Sequence, residues 1–268
     1  MGACGPALRL TASHPAQTGA AWYARPQQVR EGFVTEFVIR LSSPSFFCRS
    51  MDDAHTNCHS RGGDGIAFVI QNHHPSAMGR GGKGMGFEGV RNSVAVELDT
   101  WFNSEKRDLW ENHVAVLSRG ARRANSANHS FALGESTTHV PDLTDGLHRV
   151  RIVYDPHFDP RIVSFPTFAA SAPATSRWLP QSHLPSEYLA HTPANWVRDG
   201  FGSLAVFFDG SDLPALIVPI NLAATIDLSS SHGRAWVGFT AATGNDVYQT
   251  HDILDWTFTQ LRRRLPHE

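Results

Sequence analysis

One stretch of this chain decides how it folds: GGKGMGFEGVRNSVAVELDTWFNSEKRDLWENH, residues 81–113. Its second half contains five side chains of the kinds that bind cations, namely Glu97, Asp99, Asn103, Asp108 and His113. Three carboxylates brought to one place repel each other unless a cation lies among them. The stretch therefore predicts a metal site, and ordinary surface charges on a loop are the alternative interpretation.

The order of these residues indicates how they could meet. A β-strand is predicted over residues 94–100, where apolar side chains at alternate positions share one face. Glu97 and Asp99 are two residues apart, so they project together from the other face. The polar, turn-rich run 103–112 can then fold back and bring the three later side chains to the same place.

The donor types indicate which cations would fit. Carboxylate and amide oxygens suit Ca²⁺, which also accepts backbone carbonyls and water as ligands. A histidine beside carboxylates suits a transition ion such as Mn²⁺. The set has room for both ions if Asp99 and Asp108 bridge them.

Composition excludes several classes of protein. The chain has 268 residues, enough for one large all-β domain. Its hydrophobic content is 41% and its formal net charge is −2, which argues against an electrostatic nucleic-acid binder. The sequence contains no apolar run of membrane-spanning length, and its first residues lack the apolar core of a signal peptide.

Strand patterns dominate the rest of the chain. Residues 33–41 alternate apolar and polar side chains, as a half-buried strand does, and residues 66–70 are apolar on both faces, as in a central strand. Further strands are predicted over residues 114–117, 150–154, 204–208, 215–220, 235–240 and 253–258. Many short strands, separated by glycine, proline and Asp-Gly pairs and without a long amphipathic helix, predict an all-β antiparallel sandwich.

Several blocks of this sequence resemble the legume-type (L-type) lectins. The metal loop of that family reads Glu-x-Asp-Thr-aromatic-x-Asn, then Asp and His, and residues 97–103 read ELDTWFN before Asp108 and His113. The other matching blocks are GDGIAFVI at 63–70, GGKGMGF at 81–87, WVGFTAATG at 236–244 and HDILDWTF at 251–258. The blocks occur in the family's order and span most of the chain. The resemblance implies a jelly-roll β-sandwich of the concanavalin-like type and metal-dependent, non-catalytic carbohydrate binding.

The resemblance also implies a role for each matching residue. The carbohydrate-binding positions would be Asp64, Gly82, Trp101 and Asn103, together with Asn245 and Asp246 of the family's specificity loop. The transition-metal ligands would be Glu97, Asp99, Asp108 and His113. The Ca²⁺ ligands would be Asp99, the carbonyl of Trp101, Asn103 and Asp108. A cis peptide bond is expected at Gly63-Asp64, and Gly81 is the alternative to Gly82 as a backbone N–H donor.

The chemistry of these residue types suits a saccharide. The carboxylate of Asp64 can accept hydrogen bonds from two neighbouring hydroxyls, and Trp101 can stack on the apolar ring face. Asn103 can give its amide oxygen to Ca²⁺ while its NH₂ group donates to the sugar. The short span from Asp246 to His251 resembles that of the family's mannose/glucose binders more than that of its galactose binders, which implies mannose- or glucose-type glycans.

The cysteines leave alternatives open. Cys48 and Cys58 flank a polar loop between two strands, where they could form a disulfide, remain as reduced thiols or be a metal pair. The lectin resemblance implies an extracellular or secretory-pathway location, which is oxidising and therefore favours the disulfide. Cys4 would then be unpaired. Asn128-His129-Ser130 forms a glycosylation sequon, and the histidines other than His113 lie at no recognisable ligand spacing.

Two departures from the family concern the periphery. The connection between two late strands is much longer than usual, so residues 156–202 are interpreted as a proline-containing insertion within a single domain, residues 1–268. Trp178, Tyr188 and Trp196 would dock this segment on the body or contribute to a partner surface, and docking is favoured. Residues 8–23 also fit the family's Leu-x-Leu-Thr…Ala-x-Tyr block, before which the family usually has another strand or so. The sequence is therefore expected to be truncated there, or its N-terminal edge strand to be lost or replaced. A homo-oligomer is possible because family members often dimerise through sheet edges.

Two rival functions remain. Glycoside hydrolases of the same fold place two glutamates around an aspartate on one strand. Glu97 and Asp99 match the first half of that pattern, but Trp101 and Phe102 stand where the second glutamate would fall. An interaction module that has lost sugar binding is the other rival, and the complete ligand set argues against it.

Overall fold

Two antiparallel sheets packed through an apolar core make up the structure. The computed structural model describes residues 6–50, 56–157, 176–178 and 202–261. Within these ranges the strands are β1 (Leu8–Thr11), β2 (Thr18–Trp22), β3 (Gln27–Gln28), β4 (Phe33–Ser42), β5 (Ser45–Ser50), β6 (Thr56–Arg61), β7 (Gly65–Gln71), β8 (Ser93–Asp99), β9 (His113–Ser118), β10 (Ala132–Ser136), β11 (Gly146–Asp155), β12 (Ser176–Trp178), β13 (Gly202–Phe208), β14 (Leu216–Ile220), β15 (Arg234–Ala242) and β16 (Thr250–Gln260). The helical turns are Gly82–Gly84, Ser104–Lys106, His129–Phe131 and Leu222–Thr225. None of these helices is long and apolar enough to cross a membrane.

The strand order confirms the predicted β-sandwich. The smaller sheet runs β1-β16-β4-β11-β13-β14, and the larger runs β12-β10-β9-β8-β7-β15-β2, with β3 beside β15. The hairpin β5–β6 forms a separate two-stranded sheet, in which a disulfide joins the directly opposed Cys48 and Cys58. The disulfide favoured by the lectin resemblance is therefore present, whereas Cys4 lies outside the described residues.

The core between the sheets contains aromatic side chains from both. Phe37 of β4 meets Phe68 of β7 and Phe239 of β15, with ring centroids 6.1 Å and 4.8 Å away. Each of the three is at most 1% exposed, and burial of such a side chain contributes about 1.5–3 kcal/mol. Alternate residues of β4 are buried here, as the sequence pattern predicts.

The outer face of the larger sheet is covered as well. Ala67 of β7 and Ala95 of β8 pack with Met85 and Phe87, which follow the glycine-rich turn. Every residue of β7, β8 and β9 is consequently buried. Glu97, a charged residue on the outer face of β8, is therefore enclosed and needs polar partners.

Strand register brings the predicted site together. Gly65 at the start of β7 pairs with Asp99 at the end of β8, and Asp99 pairs with His113 at the start of β9. The run between β8 and β9 folds back, as expected from its polar sequence. One end of the larger sheet therefore carries the residues predicted to bind sugar and those predicted to bind metal side by side.

All nine strands predicted from the pattern are present. The largest difference is at β11, which begins at Gly146 rather than Val150 because it continues to pair with β4 as far as Leu41. Strand β10 was not predicted, since its sequence ALGES lacks an alternating apolar pattern. Most of the insertion, with Tyr188 and Trp196, and the side chain of Trp178 lie outside the described part of the chain.

Candidate functional site

A cavity of about 560 Å³ opens at this end of the larger sheet. Its volume lies within the range of small-molecule sites. The six predicted carbohydrate-binding residues all line it, namely Asp64, Gly82, Trp101, Asn103, Asn245 and Asp246. Residues that are up to 182 positions apart in the sequence thus face one space.

Asp64 lies at the base of the cavity, directly after the cis peptide bond Gly63-Asp64 that the resemblance predicted. Its carbonyl accepts from the N–H and the hydroxyl of Thr100, both at 3.0 Å, and its N–H donates to Ala242 at 2.9 Å. The residue is 3% exposed, and its Oδ2 has no hydrogen-bond partner among the described residues. Burial, with the charge of Asp108 as the next cause, raises the pKa of Asp64 to about 7. The backbone of Asp64 is therefore held by three hydrogen bonds, and its buried Oδ2 is left for a ligand.

The glycine-rich turn forms one wall. Gly82 has a φ of +56°, and a Cβ added there would stand 3.7 Å from Asp64 Oδ2, in the space a ligand would use. A Cβ on Gly81 would instead lie 2.1 Å from the hydroxyl of Thr18. Glycine is thus needed at 81 for packing and at 82 for the backbone conformation and for space beside Asp64.

The metal loop forms the opposite wall. Asp99 Oδ1 accepts from the N–H of Trp101 at 2.6 Å, and Asp108 Oδ2 accepts from the N–H of Asn103 at 2.5 Å. The Trp101 ring lies edge-to-face against Phe47, with centroids 5.2 Å apart. Phe47 belongs to the disulfide-linked hairpin and also lines the cavity. The contact between Phe47 and Trp101 was not predicted from the sequence. The feature that could have indicated it is Cys48, the neighbour of Phe47, whose disulfide fixes the hairpin.

The turn between β15 and β16 completes the cavity. Asn245 and Asp246 are exposed at its tip, and the turn is closed by the N–H of Gly244 donating to the carbonyl of Val247 at 2.9 Å. A Cβ on Gly244 would lie 3.5 Å from Asp64 Oδ2. The tip is therefore free to contact a ligand that reaches Asp64.

Beneath the cavity lie two groups of metal-ligand atoms. Asp99, Asp108 and His113 form one group, and Glu97, His113 and His129 form the other. Within each group the ligand atoms lie within 4.8 Å of one another. The structure thus brings together the four predicted transition-metal ligands and adds one histidine that was not predicted.

The electrostatics of this cluster fit a divalent cation. Burial, followed by the charges of Glu97 and Asp108, holds the pKa of Asp99 well above its usual value. Burial and the charge of Glu97 raise the pKa of Asp108 to about 6. Hydrogen bonds from His113 and His129 outweigh burial and lower the pKa of Glu97. Glu97 Oε2 is nevertheless buried without a hydrogen-bond partner in the described ranges. This oxygen has free lone pairs that a cation could accept.

No ligand spacing in the sequence indicates His129, yet the fold brings it to the candidate ligand set. Its Nε2 lies 2.9 Å from Glu97 Oε1 and 3.2 Å from His113 Nε2, and its Nδ1 contacts Glu135. His129 follows His113 by sixteen residues, and the local pattern it belongs to, the sequon Asn128-His129-Ser130, indicates no metal ligand. The sequence offers only that His129 and Glu135 lie close to the start of β10, and β10 pairs with β9, the strand that begins at His113.

The fold is shared with several solved lectins. A Bauhinia forficata lectin in complex with GalNAc matches at 19% identity with a TM-score of 0.56, covering 95% of this chain and 87% of that chain. Peanut lectin with a nine-residue peptide matches at 19% and 0.55, covering 95% and 85%. The exoplasmic/lumenal domain of VIP36, bound to Ca²⁺ and Man3GlcNAc, matches at 14% and 0.56, covering 97% and 82%. At these identities the likeness is evidence of the fold alone.

Family membership is established separately, from the sequence. The profile of the legume lectin domain matches residues 3–156, more than half of the chain. Members of that family are non-catalytic carbohydrate-binding proteins, which agrees with the lectin interpretation and not with the hydrolase alternative. The chain therefore belongs to the legume lectin domain family and is a carbohydrate-binding protein, not an enzyme.

Proposed function

We propose that the cavity binds a glycan and that Ca²⁺ and a transition ion such as Mn²⁺ hold the cavity in its binding shape. The observation that carries this proposal is the pairing of two features in one place. Six residues of suitable chemistry line one cavity, and two carboxylates of a buried cluster accept hydrogen bonds from the backbone of two of these residues. The ions would offset the repulsion within the cluster and fix the loop that supplies half of the cavity wall.

Each cavity residue has a distinct task in this proposal. Asp64 accepts hydrogen bonds from two sugar hydroxyls, and the backbone N–H of Gly82 donates to one of them. Trp101 stacks on the ring face of the sugar, while the NH₂ of Asn103 donates to a hydroxyl. Because these groups are ordered before the ligand arrives, little ordering entropy is lost on binding.

The ligands divide by donor type. Asp99, the Trp101 carbonyl, Asn103 and Asp108 would hold Ca²⁺, which prefers oxygen. Glu97, Asp99, Asp108 and His113 would hold the transition ion, for which imidazole is a suitable donor. The relatives' ligands support this assignment in part, since VIP36 carries Ca²⁺ together with a mannose-containing glycan.

The glycan is proposed to be of the mannose or glucose type, since the turn carrying Asn245 and Asp246 is short. The named relatives bind GalNAc in one case and Man3GlcNAc in another, so a glycan array decides the class. An extracellular or secretory-pathway location is proposed as well, supported by the Cys48–Cys58 disulfide. Association through a sheet edge stays a prediction that light scattering tests.

The test compares glycan binding with and without metal. We expect the protein in Ca²⁺ and Mn²⁺ buffer to bind a defined set of glycans on an array, and to lose them after chelation and regain them when the ions return. Asp64→Asn and Asn103→Ala should abolish binding, because each removes a proposed hydroxyl or Ca²⁺ contact. Asp255→Asn, which removes an exposed charge on β16, is the matched control and should bind normally. Binding that survives chelation, or an array with no bound glycan, would contradict the proposal.

A further inference from the structure

His129 is enclosed at the metal cluster by residues from three segments. It is 2% exposed, and Glu97, His113 and Glu135 around it are each 0% exposed. The His113 and His129 rings meet edge-to-face, with centroids 4.8 Å apart and planes at 77°. Such burial of two imidazoles and two carboxylates is costly unless their polar atoms are satisfied by each other or by a cation.

The hydrogen bonds at the outer nitrogens determine which way each ring points its lone pair. His113 Nδ1 lies 2.5 Å from the carbonyl of Trp110, which only accepts, so this nitrogen carries the hydrogen. His129 Nδ1 faces the Glu135 carboxylate, so the same reasoning applies. When a cation displaces the Nε2 protons that hydrogen-bond to Glu97, both Nε2 atoms present lone pairs to the space beside that carboxylate. A metal-binding histidine typically donates its other N–H to a carbonyl or carboxylate in this way.

The distances among the three inward atoms match a metal site. Glu97 Oε1 lies 2.9 Å from His129 Nε2 and 3.2 Å from His113 Nε2, and the two nitrogens are 3.2 Å apart. Ligands about 2.0–2.1 Å from a tetrahedral ion stand about 3.3 Å from each other. Asp108 Oδ1, 3.7 Å from His129 Nε2, is placed as a fourth donor. Glu97 Oε1 and the two Nε2 atoms thus form a nearly equilateral triangle, at the centre of which one small cation can bind all three.

We propose that His129 is a direct ligand of the transition ion, so that Glu97, His113 and His129 form a site with two imidazoles that binds Zn²⁺ in preference to Mn²⁺. Glu135 is a positioning residue, since it holds the ring of His129 without reaching the ion. The ligand set implied by the lectin resemblance contains one imidazole. A second one shifts the site toward the ions that favour nitrogen, and Zn²⁺ lies above Mn²⁺ in the general affinity order. The inference rests on the proposed function in that the same ion supports the glycan cavity.

The test measures metal affinity on the whole protein after the resident ions are removed by chelation and dialysis. We expect Zn²⁺ to bind at least about tenfold more tightly than Mn²⁺. His129→Gln should weaken Zn²⁺ binding by about 100-fold or more while changing Mn²⁺ binding less. Glu135→Gln should weaken Zn²⁺ binding by about 10–100-fold, as is typical for partners of a ligating histidine. His148→Gln is the control, because His148 is also buried but pairs with Asp209 elsewhere, and it should match the wild type within twofold.

A second readout keeps the inference testable if His129→Gln does not fold, which thermal melting will reveal. X-ray absorption of the Zn²⁺-loaded wild type should then count two imidazoles, and the visible spectrum of the Co²⁺ form should carry intense tetrahedral bands. A count of one imidazole, Zn²⁺ affinity of His129→Gln within twofold of the wild type, or tighter binding of Mn²⁺ than of Zn²⁺ would each overturn it. These measurements need no sugar, so they stand apart from a failure of the glycan array.

Discussion

Replacing Asp64 by asparagine should change how the stability of the metal-free protein depends on pH. In the folded protein, burial and the charge of Asp108 raise the pKa of Asp64 from 3.8 to about 7. The folded state therefore holds a proton on Asp64 between pH 4 and 7 where the unfolded chain releases it. Stability that is fully present below about pH 4 is lost as the pH rises through about 7.

The size of this loss follows from the two pKa values. The difference is about three units, and each unit corresponds to about 1.4 kcal/mol, which gives about 4 kcal/mol. Asp64 is 3% exposed, so solvent screening does not reduce the figure much. Asparagine has nearly the same shape but stays neutral at every pH. Its buried NH₂ group costs about 1–3 kcal/mol where it lacks a partner, but that cost is the same across the range, so the slope isolates the carboxylate.

The assay is urea unfolding of metal-free wild type and Asp64→Asn at intervals from pH 4 to pH 8. We expect the difference in free energy of unfolding to move by about 4 kcal/mol in favour of the variant over this range. Excess Ca²⁺ should flatten the wild-type curve, since a cation bound nearby offsets the charge of Asp108 and favours the ionised form of Asp64. Asp255→Asn serves as control and should run parallel to the wild type. Parallel curves for wild type and Asp64→Asn would refute the assignment of a raised pKa to this side chain.

Three further predictions concern the cavity walls. Trp101→Ala should weaken glycan binding at least about tenfold in calorimetry while Trp101→Phe retains most of it, because a phenyl ring preserves the stacking face. Gly82→Ala should place a methyl group beside Asp64 and force a left-handed backbone on alanine, so we expect a loss of about 1–2 kcal/mol in stability and no measurable binding. Cys48→Ser should remove the disulfide constraint on the β5–β6 hairpin, which is worth about 3 kcal/mol of stability for a ten-residue separation. Glycan binding should weaken severalfold, because Phe47 no longer supports the ring of Trp101. Chemical reduction of the wild type should have the same effect, and unchanged affinity would contradict this link.

Alternation of side chains was sufficient to predict most of the fold. The apolar residues of β4 lie on the face that the core uses, and its register is fixed because a one-residue slip would expose them. The strands β7, β8 and β9 are instead buried on both faces. Strand β10 escaped prediction because Gly134 and Glu135 occupy buried positions there. Glu135 is buried because it faces His129, so the residue that obscured the strand pattern is a residue of the site.

The resemblance predicted the lining residues that belong to family motifs, even where these lie far apart in sequence, and it missed residues that only tertiary structure brings to the cavity. Asp99 and His113 fall within one motif, and strand pairing makes them neighbours. His129 and Phe47 reach the site from a loop and a hairpin that have no spacing relationship to the motif. Single-sequence spacing cannot report such contacts, because they depend on how β9, β10 and the β5–β6 hairpin are arranged in space.

The arrangement of the backbone gives a reason why the ions and the sugar should depend on each other. Thr100 immediately follows Asp99, and its N–H and hydroxyl both hold the carbonyl of Asp64. Asp99 in turn holds the N–H of Trp101. An ion bound at Asp99 would therefore act on Trp101 through one hydrogen bond and on the backbone of Asp64 through Thr100. Because the carboxylates of the cluster repel each other when the ion is absent, the same change that lowers the stability of the fold also loosens the groups proposed to bind the glycan.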